Sequence, residues 1–255
     1  MFLATLFYLL IFPVALLLCI YLGSYYARKV LKKKAVWKPV GIEAGLMGIF
    51  ALVISFSLLI AGNHARERTT SIHQESDDLA LLLRKSKFYE PELQQEVKKY
   101  MTGFYAIQLN NLNPRPEENT VLVSEVEQLD STLDEFLKKY LKIHPAADQQ
   151  INELIGLIES VGDKYFLLLY SYSETTPKLI GVLMVIFGCL MGILVGFMNR
   201  MQENKYHITL VIFIIVVTIM IYSIHDLDSP ATGLIRPDYT DIINIKQLMD
   251  NYYGH

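Results

Sequence analysis

The chain has 255 residues, 52% of them hydrophobic, and a formal net charge of −3. Its apolar residues gather into four runs, each near the ~20 residues that cross about 30 Å of hydrocarbon as a helix. The remainder is richly charged, which excludes one large soluble core. The two cysteines, Cys19 and Cys189, both fall inside apolar runs and give neither a disulfide framework nor metal-ligand spacing.

The first span is predicted over Phe2 to Tyr25, with Pro13 as a candidate kink. It is too long for a signal-peptide core and has neither a basic lead nor a small-residue cleavage pattern, so it reads as an anchor. The second span runs from Val40 to Gly62. It carries Gly41, Gly45 and Gly48, then Ala51, Ser55 and Ser57. Such small and weakly polar residues serve tight helix packing or line a narrow watery path, and both readings stay open. Glu43 sits near one end of this span, either as an interfacial carboxylate or as a charge at a pore mouth.

Residues 63–176 form the next domain, expected to be all-helical because no strand alternation competes. Helical patterning covers His64 to Leu109, with a break at Glu90-Pro91, since proline suits a first helical turn. A loop follows over Asn110 to Asn119, then helices over Val121 to Ile143 and Ala146 to Tyr172. His73 and Asp77 share a helix face at i, i+4, a spacing that metals use, though a solvated face is the simpler reading.

The third span, Lys178 to Met198, is expected to open with a threonine cap at Thr175-Thr176 and Pro177 as its first helical residue. Gly188, Gly192 and Gly196 recur every four residues and make a groove for close backbone approach. The fourth span covers Ile208 to Ile224. Beyond it, His225, Asp226 and Asp228 meet the membrane surface before a Pro-x-x-Gly turn and Arg236. They are candidates to bind an ion through oxygen ligands, or to fix the turn by pairing with Arg236. Asp238 to Tyr253 reads as a short amphipathic helix, lying against the domain or the membrane face.

Orientation follows from basic residues in short loops. Arg28, Lys29, Lys32, Lys33, Lys34 and Lys38 follow span one, and Arg200 and Lys205 lie between spans three and four. Both loops fall on one side of a four-span chain and are assigned to the cytoplasm. The helical domain, with 12 Lys/Arg against 19 Asp/Glu, and both termini then face the extracytoplasmic side. Arg66 and Arg68, directly after span two, pull the other way. The expected location is a cell membrane of bacterial inner-membrane type, with the chain multi-pass.

Two spans, a long helical insert, two further spans and the tail motif resemble the bestrophin-like family of bacterial membrane proteins. The stretches that carry the resemblance are Gly48 to Arg68 (GIFALVISFSLLIAGNHARER) and Asp226 to Ile235 (DLDSPATGLI). Ser229 stands where the family often has arginine. Bestrophins proper are pentameric anion channels whose second span lines the pore. Carried over, that implies lining by Gly48, Ala51, Leu52, Ser55 and Leu59, with Leu52 and Leu59 as dewetting constrictions. Bestrophins keep their large helical domain in the cytosol, whereas the basic loops here argue for the opposite side. Their calcium clasp has no counterpart in this chain.

The resulting expectation is an all-α membrane protein divided at 1–62, 63–176, 177–225 and 226–255. Its leading function is a homo-oligomeric channel for an inorganic ion, with an anion favoured by the resemblance and four or five copies around the pore. The alternative is a non-conducting sensor or scaffold whose acidic domain binds a partner or ligand. Phosphate-binding glycine loops, nucleophile elbows and zinc-protease or kinase signatures are absent from the sequence. An enzyme, a cofactor, a metal centre and a nucleic-acid partner are therefore not expected; the lipid bilayer is.

Overall fold

The computed structural model describes residues 6–33, 41–174, 176–202 and 207–254, and these are helical nearly throughout. Eight helices follow in order: α1 (Phe7–Lys32), α2 (Ile42–Ser86), α3 (Pro91–Asn110), α4 (Asn119–Ile143), α5 (Asp148–Ser173), α6 (Lys178–Met201), α7 (His207–Leu227) and α8 (Thr240–Tyr253). Four of them, α1, α2, α6 and α7, are long and apolar enough to cross a membrane. With no water to bond in hydrocarbon, only a helix or a closed barrel satisfies every backbone group. The chain forms two compact units, Met1–Asn63 with Thr175–Leu234, and His64–Glu174 with Ile235–His255.

In the first unit α1 and α6 make the closest approach, and glycine permits it. A Cβ placed at Gly196 would fall on the carbonyl of Ile20, and one at Gly23 on the carbonyl of Ile193. Ser24 Oγ donates to the Gly196 carbonyl at 3.0 Å across the same contact. Gly192 faces Leu16 and Cys19, and Gly188 faces the Phe12 ring. Phe12, Leu16, Phe50, Met184, Val217 and Ile221 fill the core around this pair. α1 opens with a π turn over Phe7–Ile11. That wider turn lies where the Pro13 ring would press on the carbonyl of Leu9.

α6 begins at Lys178 with Pro177 as its cap residue, one position earlier for the proline than expected. Pro177 still serves as a start signal, because its carbonyl accepts the Ile180 N–H at 2.8 Å. Thr175, Lys34, Lys38 and Lys205 lie outside the described residues.

The second unit is a helical bundle built from the later part of α2 with α3, α4, α5 and α8. Its core repeats at three- and four-residue spacing: Leu79 and Leu82 on α2, Leu93, Val97 and Phe104 on α3, Val126 and Leu137 on α4, Leu154 and Val161 on α5. Pro91 starts α3 after an extended Glu90, as the sequence suggests. α8 belongs to this bundle. Ile242 and Met249 are buried in the core, Ser86 Oγ and Tyr253 Oη bond at 2.8 Å, and Lys98 Nζ donates to the Tyr253 carbonyl at 3.2 Å. The tail after α7 is thus divided: its turn packs with the spans and its helix with the bundle.

Candidate functional site

Within the first unit α2 has two faces. Phe50, Ser57 and Ala61 are buried, and Val53, Ile54 and Leu58 pack beside them. Ser57 Oγ donates to the Val53 carbonyl, which keeps that hydroxyl within its own helix. Gly48, Ala51, Leu52, Ser55 and Leu59 lie on the other face and are all exposed. Leu52 is 55% and Leu59 57% exposed, too much for residues held in their own chain's core. A Cβ at Gly45 or Gly48 would meet no described atom within 4 Å. The small residues of this stripe therefore leave open space instead of seating a helix of the same unit.

Phe56, 57% exposed, belongs to this face as well. It stands four residues after Leu52 and three before Leu59, so helical spacing carried the signal. Glu43 lies in the first turn of α2, half-buried, and its Oε2 accepts the Gly41 N–H at 3.1 Å. Gly41 takes a φ of +90°, a left-handed conformation that favours glycine. The carboxylate also complements the positive helix start.

At the far end of α7 the three predicted ion-binding residues share one turn but have different surroundings. Asp226 is buried, and its Oδ1 accepts the Leu234 N–H at 2.8 Å, with the Tyr222 hydroxyl at 3.4 Å. The Ser229 carbonyl accepts the N–H groups of Thr232 and Gly233. A Cβ at Gly233 would sit 2.6 Å from the Asp226 carbonyl oxygen, so only glycine closes this turn. His225 lies against the Tyr8 ring, with centroids 4.5 Å apart. His225 and Asp228, with Tyr8, Thr176 and Ser229, form the polar part of a cavity of about 570 Å³ whose walls include Met184, Val185 and Ile221. No group of three or more His, Cys, Asp or Glu among the described residues is arranged to hold a metal ion.

His73 pairs across the second unit with Asp241, Nδ1 to Oδ2 at 2.6 Å, and not with Asp77 as a metal pair would. The same unit carries a polar interior that the sequence reading did not single out. Arg68 is buried and donates from Nη1 to the Ser171 carbonyl at 3.2 Å. Glu75 is fully buried and accepts from Gln108 Nε2 at 2.6 Å. Tyr172 and Tyr239 join their hydroxyls at 2.9 Å. The missed signal is spacing: Arg68, Ile72, Glu75, Leu79 and Leu82 recur at four and three residues, placing both charges on the core stripe. Burial holds the Glu75 carboxyl well above the ordinary carboxylate range, and the nearby Asp78 adds to this, against the Gln108 hydrogen bond.

One solved structure similar to this chain is a crystal structure of a membrane protein. It aligns over 95% of this chain and 98% of its own, with a TM-score of 0.66 and 11% identity, a likeness of fold. No curated protein matches significantly. The family profile described as Bestrophin-like domain matches residues 10–236. With nearly all of its length inside that match, four apolar helices of spanning length and a helical bundle between the second and third, the chain belongs to the bestrophin-like family.

Proposed function

We propose that this membrane protein is a homo-oligomeric ion channel in which α2 of each subunit lines the pore through Gly48, Ala51, Leu52, Ser55 and Leu59. The observation that carries the reading is the two-faced second span. One face packs into its own unit, and the other, with its glycines and serine, is left uncovered. Neighbouring copies around an axis give that face a use. Leu52, Phe56 and Leu59 supply apolar narrowings that gate by dewetting, while Gly48, Ala51 and Ser55 keep the path open between them. A path bounded by single helices of this diameter takes about four or five copies. Anions are the favoured cargo, by likeness to bestrophins proper. Glu43 stands at one mouth.

The basic residues Arg28, Lys29, Lys32, Lys33 and Arg200 at the ends of α1 and α6 support a cytoplasmic location for those ends. Under this topology the acidic bundle and both termini face the extracytoplasmic side.

The test is purified protein in a planar lipid bilayer, with halide and alkali-cation gradients, beside Leu52→Ala. Unitary currents that rise in the variant support the channel. Silence of both proteins across pH and calcium ranges, with a monomeric or dimeric native mass, overturns it in favour of a non-conducting sensor. A reporter fused at Asn111 reads the topology, and a cytosolic signal there reverses the orientation.

A further inference from the structure

A carboxylate taken out of water needs a counter-charge, a full set of donors, or a proton. Glu75 is fully buried on α2 between Ile72 and Leu79, which are buried too. The one donor bonded to it among the described residues is Gln108 Nε2, 2.6 Å from Oε1. Two oxygens of the same pair are left over. Glu75 Oε2 and Gln108 Oε1 are both buried, and neither has a hydrogen-bond partner among the described residues. With Glu75 ionised both are acceptors and can do nothing for each other. A single proton on Oε2 turns one of them into a donor, and a neutral carboxyl and a carboxamide have the complementary groups to exchange two hydrogen bonds.

The surroundings agree. Facing Glu75 are Tyr100 and Tyr105 from α3, Tyr165 from α5 and Tyr239 from the segment before α8. Asp78 stands on its own helix. Asp130 of α4 faces Tyr100, and Asp250 of α8 faces Tyr105. Each of these groups is a phenol or an acid; the buried cation of the same stripe, Arg68, stands seven residues before Glu75, bonds the Ser171 carbonyl, and with Arg236 acts on Tyr172, the hydroxyl partner of Tyr239. The hydroxyls of Tyr105 and Tyr165 are buried and make no hydrogen bond among the described residues. Neither hydroxyl therefore supplies Glu75 with a donor.

We propose that Glu75 is a proton-binding site in the core of the helical bundle, its carboxyl kept neutral and paired through two hydrogen bonds with the Gln108 carboxamide. The proton is the ligand, and its loss puts a bare charge among the aromatic side chains that hold α2, α3 and α5 together. This inference does not depend on whether the spans conduct.

The test uses the full chain in lipid nanodiscs at pH 7. Infrared difference spectra, wild type minus Glu75→Gln, should contain the carbonyl stretch of a protonated carboxyl, shifted in D₂O. The glutamine mimics the neutral acid, so hydrogen exchange over residues 93–108 and 151–169 should match wild type within a factor of two or three. Gln108→Leu should move the carboxyl band. Carboxylate bands in place of the acid band overturn the proposal, and so does exchange tenfold faster in Glu75→Gln. A band unmoved by Gln108→Leu overturns the pairing. If sodium, potassium or calcium slows exchange in wild type but not in Glu75→Gln, a metal ion neutralises the site and the proton is excluded.

Discussion

Replacing Gly196 with alanine puts a methyl group where the Ile20 carbonyl already stands. The clash is with backbone, so no rotamer change relieves it, and α1 and α6 must separate. A gap of 0.5–1 Å already forfeits a quarter to a half of each dispersion contact along the seam. Overpacking of this kind costs about 1–3 kcal/mol. The Ser24 bond to the Gly196 carbonyl is strained by the same shift, and interhelical bonds in membranes average about 0.6 kcal/mol. The expected loss is therefore about 2–3 kcal/mol, a shift of roughly 30- to 150-fold in the unfolding equilibrium. Gly181 is the internal control, because a Cβ there meets no described atom within 4 Å. Gly181→Ala should be neutral or slightly stabilising, by up to about 1 kcal/mol, through helix propensity. Equilibrium unfolding in mixed detergent and lipid micelles, followed by circular dichroism, measures both. Equal effects of the two substitutions, within about 0.5 kcal/mol, would refute the argument that backbone contact at Gly196 sets the α1–α6 distance.

Asp226→Ala removes the acceptor of the Leu234 N–H and should cost about 1–3 kcal/mol, read as faster proteolysis in the 226–234 turn. His73→Ala should change stability by less than about 1 kcal/mol, since the pair with Asp241 is exposed, and chelators should leave the melting temperature unmoved. The bundle should lose stability as pH rises. Burial raises the carboxyl pKa of both Glu75 and Asp130, so the folded bundle keeps protons that the unfolded chain has released. That stability is full below the ordinary carboxylate range and is lost as pH climbs towards the folded values, by up to about 1.4 kcal/mol per pH unit for each group. Hydrogen exchange in α3 and α5, corrected for its intrinsic pH dependence, reads the slope, and a stability that rises with pH contradicts the sign.

The spans were legible because length and hydropathy decide them. α7 extends past the expected Ile224 to Leu227, and α2 runs unbroken to Ser86 because nothing between Gly62 and Ser86 stops a helix. The glycines of α6 were visible as a groove, yet Gly23, which meets Ile193 across it, stands alone in its own helix and carries no periodic mark. As single residues Glu75 and Arg68 carry no mark of burial, because charge usually means solvent. Their register with Ile72, Leu79 and Leu82 says otherwise. Asp226 offered two roles from sequence. The Leu234 amide that Asp226 bonds stands eight residues away, through a turn whose path short-range patterns do not specify.

The placement of α8 fixes an order of assembly. The bundle's core needs Ile242 and Met249, and the ribosome makes them only after the third and fourth spans. Folding during synthesis proceeds from the N-terminus, so α3, α4 and α5 are made before Ile242 and Met249, which belong to the same core. A chain truncated within α7 is therefore expected to carry a bundle that proteases cut more readily than the bundle of the full chain.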